Sequence, residues 1–270
     1  MSRPDDLGSI VFLEHVNLRV PDHRSCHLYF CEGLGFTRDP MRMVGVRNMW
    51  VNVGSQQFHL PIGEPTPLPG EVGVVVPDLD AVESRLDAVG RELKDTAFGF
   101  RRDGGTLLTA TPWGHAVRVQ AVAGQPGPGR PPQALAYVEF WVPPGTARRI
   151  GAFYEQVLEC PVEADGGATT RVTVGPSQSL RFTERPGADI VRNTNHIAVY
   201  LTRYRRIYAA LRSRGLVMEE DQDEQFRFST VTDLAGGEPL WVFEHEMRSL
   251  HHPDYRKPLV NRIPVPYRVD

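Results

Sequence analysis

The chain has 270 residues, and its 30 Lys and Arg against 33 Asp and Glu leave a formal charge of −3. That near-balance excludes the cationic surplus that a nucleic-acid binder needs to neutralise phosphates. With 41% hydrophobic and 23% charged residues, the composition is that of a core-forming chain and not of a disordered one. No run approaches the roughly 20 apolar residues of a membrane span; the longest comparable stretch is Val72 to Val76. Met1-Ser2-Arg3-Pro4-Asp5-Asp6 lacks the basic start and apolar core of a signal peptide. Cys26, Cys31 and Cys160 are too few, and odd in number, for a disulfide framework. The expectation is a cytoplasmic protein in a reducing compartment, a monomer or homodimer, whose partner is a small molecule.

The first predicted strand alternates, with Val16, Leu18 and Val20 on one face and His15, Asn17 and Arg19 on the other. Leu28, Cys31 and Leu34 form a weak helical stripe, followed by the turn Gly33-Leu34-Gly35-Phe36. Cys26 and Cys31, five apart on that helix, fall on different faces and read as packing residues. Glu71 to Val76 is a strand, and Val82, Leu86 and Val89 make a helix closed by Gly90. Thr111-Pro112-Trp113-Gly114 turns the chain into a further strand, and Gly124 to Pro132 is rich enough in Pro and Gly to read as a linker. Beyond it, Val138, Phe140 and Val142 oppose Tyr137, Glu139 and Trp141, and Ile150, Phe153 and Val157 mark a helix. Ile197, Val199 and Leu201 oppose His196, Ala198 and Tyr200, and Tyr204, Ile207, Tyr208 and Leu211 form a last helix before Gly215. The apolar strand faces call for helices against them, whereas the mixed faces suit a concave, partly wet cup.

The elements repeat. Leu13 to Pro21 recurs in outline as Leu135 to Pro143, an offset of 122, and the same offset carries His59 to Arg181. Glu71 to Val76 parallels His196 to Leu201 at an offset of 125, which also carries Leu86 to Leu211 and Gly90 to Gly215. The expected fold is α+β, with four β-α-β-β-β modules forming two paired curved sheets, each an incomplete barrel. The expected boundaries are a first half over 8–122, a linker over 123–133, a second half over 134–247 and a Pro-rich tail over 248–270.

This layout resembles the vicinal oxygen chelate superfamily, which includes glyoxalase I, methylmalonyl-CoA epimerase, fosfomycin-resistance proteins and extradiol dioxygenases. The resemblance covers about residues 10–247. It rests on His15 opening the first strand, Gly33-Leu34-Gly35-Phe36, Thr111-Pro112-Trp113-Gly114 and, closest to the family pattern, Asn195-His196-Ile197-Ala198-Val199. It implies a divalent metal in the cup, held by residues of the first and last strands of two paired modules, commonly His, Glu or Gln, His and Glu. The four units here offer His15 and His59, Glu71 and Arg118, Tyr137 and Arg181, and His196 and Glu244, spaced 44, 47, 44 and 48 residues apart.

Arginine stays protonated and is a poor neighbour for a cation. Pairing the first unit with the fourth gathers His15, His59, His196 and Glu244, three imidazoles and a carboxylate, and leaves Glu71, Arg118, Tyr137 and Arg181 in a degenerate second cup. The alternative set, His15, His59 and Glu71, lies within one half. Arg118 and Arg181 read as partners of Glu71 or as an anion site. His251 and His252 either cover the cup mouth or meet a partner chain, or belong to an ordinary surface segment, and His115 is assigned no role. Asn17, Gln57 and Tyr200 are expected to line the cup and contact substrate.

Imidazole and carboxylate ligands suit one divalent transition metal, Fe, Mn, Zn, Ni or Co. The resemblance then implies a glyoxalase- or epimerase-like lyase or isomerase, which chelates a substrate through two neighbouring oxygens and stabilises an enolate. Glu244 is the candidate general base. The alternative is an Fe(II)-dependent dioxygenase with His15, His196 and Glu244 as a facial triad. A further alternative is a drug-binding protein without catalysis. No P-loop, zinc-finger spacing or nucleophile elbow is present.

Overall fold

The computed structural model describes residues 7–42, 47–122, 133–164, 167–190, 192–221 and 224–262. The amino-terminal six residues, the linker segment 124–132 and residues 263–270 of the tail lie outside them. The first module runs β1 (Ile10–Asn17), α1 (His23–Cys26, continuing as a π-helix over His27–Gly33), β2 (Thr37–Arg38), β3 (Asn48–Val53) and β4 (Gln56–Pro61). The second runs β5 (Gly70–Val76), α2 (Leu79–Leu93), β6 (Gly99–Asp103), β7 (Thr106–Ala110) and β8 (Ala116–Ala121). The third runs β9 (Ala134–Val142), α3 (Ala147–Gln156), β10 (Val162–Ala164), β11 (Thr169–Gly175) and β12 (Gln178–Glu184). The fourth runs β13 (His196–Leu201), α4 (Tyr204–Arg212), β14 (Val217–Asp221), β15 (Gln225–Thr232) and β16 (Pro239–Ser249).

The four β-α-β-β-β modules pair across the halves of the chain. One eight-stranded sheet has the order β14-β15-β16-β13-β1-β4-β3-β2, and the other β10-β11-β12-β9-β5-β8-β7-β6. Neither sheet closes, so each is the expected curved, incomplete barrel of two modules. No helix of the described residues is long and apolar enough to cross a membrane.

Local chemistry accounts for the helices. Asp22 and Asp78 cap α1 and α2, accepting from the Ser25 and Ala81 amides at 2.7 and 2.9 Å. Two expectations are corrected. Helix α2 does not stop at Gly90 but runs to Leu93, whose burial at 1% exposed offsets the roughly 1 kcal/mol cost of an internal glycine. The weak stripe after Cys26 is π-helical, and that wider winding brings residues five apart towards one side, so Cys26 and Cys31 are neighbours and not on opposed faces. Burial pushes the Cys31 thiol up to about 12 and the Cys26 thiol higher, which makes both inert packing groups.

Two glutamines join the sheets. Strand β4 pairs with β1 only over His15–Asn17, so the Leu13 backbone lacks a strand neighbour on that side. The Gln178 carboxamide supplies one: it accepts from the Leu13 amide at 3.1 Å and donates to the Leu13 carbonyl at 2.9 Å and the Leu135 carbonyl at 3.2 Å. Gln56 reciprocates from the other sheet, accepting from the Leu135 amide at 3.2 Å. An offset of 122 relates Leu13 to Leu135 and Gln56 to Gln178, so like positions in the two halves join the sheets, with three bonds from Gln178 and one from Gln56.

His115, to which the sequence assigned no role, is fully buried and accepts from the Leu68 amide through Nδ1 at 3.0 Å. Burial lowers it from 6.5 to about 4.

Gln178→Leu is expected to strand three buried backbone groups and to cost about 3 kcal/mol or more. Gln56→Leu removes one bond and should cost less, with both read from urea melts. Because the folded His115 titrates below the unfolded one, its contribution is complete above pH 6.5 and is lost as pH falls to about 4. In melts over that window, His115→Gln should flatten the acid-side decline by about 3 kcal/mol relative to the wild type.

Candidate metal centre

Strand register builds the cup of the first sheet. Read across the strands, one row is Glu244, His196, Asn17, His59 and Trp50, and the next is Glu246, Ala198, His15, Gln57 and Asn52. Side chains in register share a face, so five strands drawn from both ends of the chain project polar groups into one hollow. Ligand atoms of His15, His59 and His196 all lie within 4.8 Å of one another. His15 and His196 approach most closely, Nε2 to Nε2 at 3.3 Å.

A bulge orients His15. In the β1–β13 ladder Leu13 faces Val199 and His15 faces Ala198, so Glu14 is the extra residue. A bulge turns two successive side chains towards the same side. Glu14 is thereby withdrawn from the core face that simple alternation assigns it, and its carboxylate accepts from His15 Nδ1–H. That bond fixes the tautomer and leaves the Nε2 lone pair facing His196. Burial raises the Glu14 pKa, but His15, Arg248 and Arg42 outweigh it and bring the carboxyl down to about 2.

His59 lies flat on Trp50, with ring centroids 4.0 Å apart and planes 6° from parallel, and the Arg42 guanidinium stands 4.3 Å from the Trp50 centroid. Asn17 Nδ2 donates to His59 Nδ1 at 2.9 Å, so His59 Nε2–H donates to Asn48 Oδ1 at 3.1 Å. Burial, then His15 and Arg42, lower His59 to about 3. Burial, then His15 and Arg227, lower His196 well below 6.5. Both are neutral imidazoles at physiological pH. Neutral nitrogens converging beside carboxylates fit a divalent transition ion.

The carboxylates come from β16. Glu244 Oε1 is 3.5 Å from His196 Nδ1, and Glu246 Oε2 is 3.6 Å from His196 Nε2. Their settings differ. Glu246 is clamped through one oxygen by Arg227 at 2.6 Å and through the other by Arg248, and its side chain is 4% exposed. Glu244 meets one arginine among the described residues, Arg227, and is 28% exposed.

Of the expected substrate contacts, Asn17 is bonded to His59. Gln57 donates to Asp39 and Asn52, both at 2.7 Å, and the Tyr200 hydroxyl accepts from Arg248 at 3.3 Å. All three are buried on the cup side of the sheet. Register sets Gln57, not His59, opposite His15, as Glu244 stands opposite His196. His59 therefore enters the hollow one pleat further along than the spacing argument placed it. Glu71 belongs to the other sheet, where Arg118 binds it at 2.7 and 3.2 Å and the Tyr137 hydroxyl at 2.5 Å. The alternative set of His15, His59 and Glu71 therefore does not form.

The tail borders the cup. Tyr255 packs on Tyr200 with ring centroids 4.9 Å apart, His252 is half-buried against the same ring, and Asp254 pairs with Arg42. His251 is exposed. Further along, the Val260 carbonyl accepts from Asn52 at 2.8 Å, and Asn261 bonds both backbone groups of Gly54. The sequence did not single out Glu14, Glu246, Arg227, Arg248 or Trp50 as parts of the site. Only the Glu14-His15 adjacency, a carboxylate beside an imidazole, carried a signal.

No family model and no curated protein matches the sequence. Solved structures do match the fold. Glyoxalase I from Zea mays is 15% identical with a TM-score of 0.61, over 90% of this chain and 93% of that one. A Bacillus subtilis protein of proposed dioxygenase activity is 12% identical at a TM-score of 0.56, over 91% and 86%. The chain has the vicinal oxygen chelate fold. The cppA protein of Streptococcus pneumoniae shares it at 11% identity and a TM-score of 0.51, covering 90% of this chain and all of that one.

Glu14→Gln keeps the size of the side chain and removes the charge that holds His15 Nδ1–H. By analogy with other partners of metal-bound histidines, the affinity for Zn(II) or Co(II) should fall roughly 10- to 100-fold by calorimetric titration. An unchanged affinity would show that Glu14 serves only the buried ion pair with Arg248.

Proposed function

We propose that this protein is a divalent-metal-dependent enzyme, a glyoxalase- or epimerase-like lyase or isomerase that acts on a small substrate bearing two neighbouring oxygens. The observation that carries this reading is the convergence of His15, His59 and His196, two buried imidazoles and one half-buried, from two modules at opposite ends of the chain. These three would hold the ion, with Glu244 as the carboxylate ligand. Glu246 is the poorer ligand because coordination would disturb two buried ion pairs, with Arg227 and Arg248.

A divalent cation held there would supply Lewis acidity for the negative charge that develops as a proton leaves the substrate. The protein's own residues do the rest. Glu244, tied by one arginine, would accept that proton at a carboxylate oxygen once detached from the ion. Arg227 holds Glu244 and Glu246 together and keeps the first oriented. Trp50 and Tyr200 wall the cup and exclude water from it.

One feature favours a second reading, an Fe(II)-dependent dioxygenase. His59 has both ring nitrogens engaged, by Asn17 and Asn48. If His59 keeps those bonds, His15, His196 and Glu244 remain as a two-histidine, one-carboxylate triad.

Metal content of the purified protein and its variants tests both readings. About one transition-metal ion per chain is expected, lost in His196→Ala and retained in Glu71→Ala. With the metal restored, solvent deuterium should enter an α-hydroxy or α-keto substrate at the carbon next to the carbonyl, and Glu244→Gln should slow that exchange at least 100-fold while Glu246→Gln mainly lowers stability. Iron as the native metal, with oxygen uptake on a catechol and no proton exchange, would replace the first reading with the second. No metal after reconstitution would sink both.

A further inference from the structure

The second sheet also forms a cup, and its chemistry is opposite to the first. Its hollow has a volume of about 470 Å³ and is lined by Glu71, Arg118, Tyr137, Trp141, Arg181 and Arg185, among others. Volumes of this size hold small organic ligands. Arg118 is neutralised by Glu71 through two hydrogen bonds. Arg181 is not paired in that way. Its guanidinium lies 3.6 Å from the centroid of the Tyr137 ring, and neither Arg181 nor Arg185 pairs with a carboxylate among the described residues. Glu139, opposite Arg181 in the β9–β12 register, lines the same hollow without forming an ion pair with it.

The stack is built into the backbone. Tyr137 stands opposite Gly73 across the β5–β9 ladder, and a Cβ at position 73 would strike the Tyr137 ring. Glycine there lets the ring lie across the strand, with its hydroxyl on Glu71 and its face against Arg181. A guanidinium stacked on an aromatic face keeps its in-plane N–H donors available, and those donors match a carboxylate or phosphate. Trp141, on the same face of β9 two pleats along from Tyr137, is 39% exposed and offers an apolar surface at the rim.

We infer that the second cup binds a small organic anion, a carboxylate or phosphate on a flat apolar group, with Arg181 and Arg185 holding the charge and Trp141 covering the apolar part. The inference stands apart from the metal reading, since no residue is shared between the two cups. A cation is excluded, because the hollow carries three arginines against two glutamates and Glu71 is already engaged.

Calorimetric titration of the full chain with benzoate and with phenyl phosphate tests it, using benzyl alcohol as the uncharged control. Saturable binding of at least one anion is expected, weakened by added salt. Affinity should fall about tenfold or more in Arg181→Met, and measurably in Arg185→Ala, whose exposed position leaves folding intact. His196→Ala should bind as the wild type does. Whichever anion binds identifies the head group. The inference is overturned if neither anion binds, if benzyl alcohol binds equally well, or if binding survives both arginine variants. Loss in His196→Ala with retention in Arg181→Met would also overturn it, by moving the anion to the first cup.

Discussion

Three consecutive residues of β1 carry more of this structure than any helix does. Leu13 hands both its backbone groups to Gln178 and so ties one sheet to the other. Glu14 is the extra residue of the bulge that follows, and His15 is the residue the bulge turns into the cup. Without the bulge, period-two alternation would send Glu14 into the apolar face and separate it from His15. The join between sheets and the orientation of the candidate site thus depend on one local irregularity.

Around that irregularity, charge is arranged in shells. The imidazoles lie innermost, their ligand atoms within 4.8 Å of one another. Glu14, Glu244 and Glu246 surround them, and Arg227, Arg248 and Arg42 surround the carboxylates in turn, with Asp254 of the tail pairing with Arg42. Buried carboxylates without partners would take up protons and stop acting as anions. His15, Arg248 and Arg42 keep the buried Glu14 charged, and the three carboxylates offset the guanidinium groups around the hollow. The second cup lacks these inner imidazoles, and there the arginines face the hollow themselves. The two sheets therefore carry cups of different lining, imidazoles in the first and arginines in the second.

The cross-half pairing explains how this asymmetry arises. Modules one and four meet through an antiparallel seam between β1 and β13, and modules two and three through a like seam between β5 and β9. Each cup draws on one module from either half, so each half contributes residues to both. The 122- and 125-residue offsets in the sequence are the trace of that arrangement. Gln56 and Gln178 preserve it in chemistry, since each must bond a backbone that its counterpart's strand leaves open.

The four modules, their element order and the separation of apolar from mixed strand faces were legible in the amino-acid sequence. Strand and helix periodicity are local properties, and each module carries them unaided. The grouping of His15 with His196 came from the resemblance, which implies a metal held by paired modules; given that metal, only one pairing of modules removes the arginines. Tertiary structure alone decided the rest. The bulge at Glu14 is a one-residue shift between strands that no single strand records, and it brought a carboxylate to His15. Register between β1 and β4 set Gln57 opposite His15 and moved His59 one pleat along. Arg227, Arg248 and Asp254 reach the cup from β15, β16 and the tail, elements whose own periodicity says nothing about distant neighbours. Sequence determines what each segment buries; only the packed sheets determine which polar groups are left facing one another.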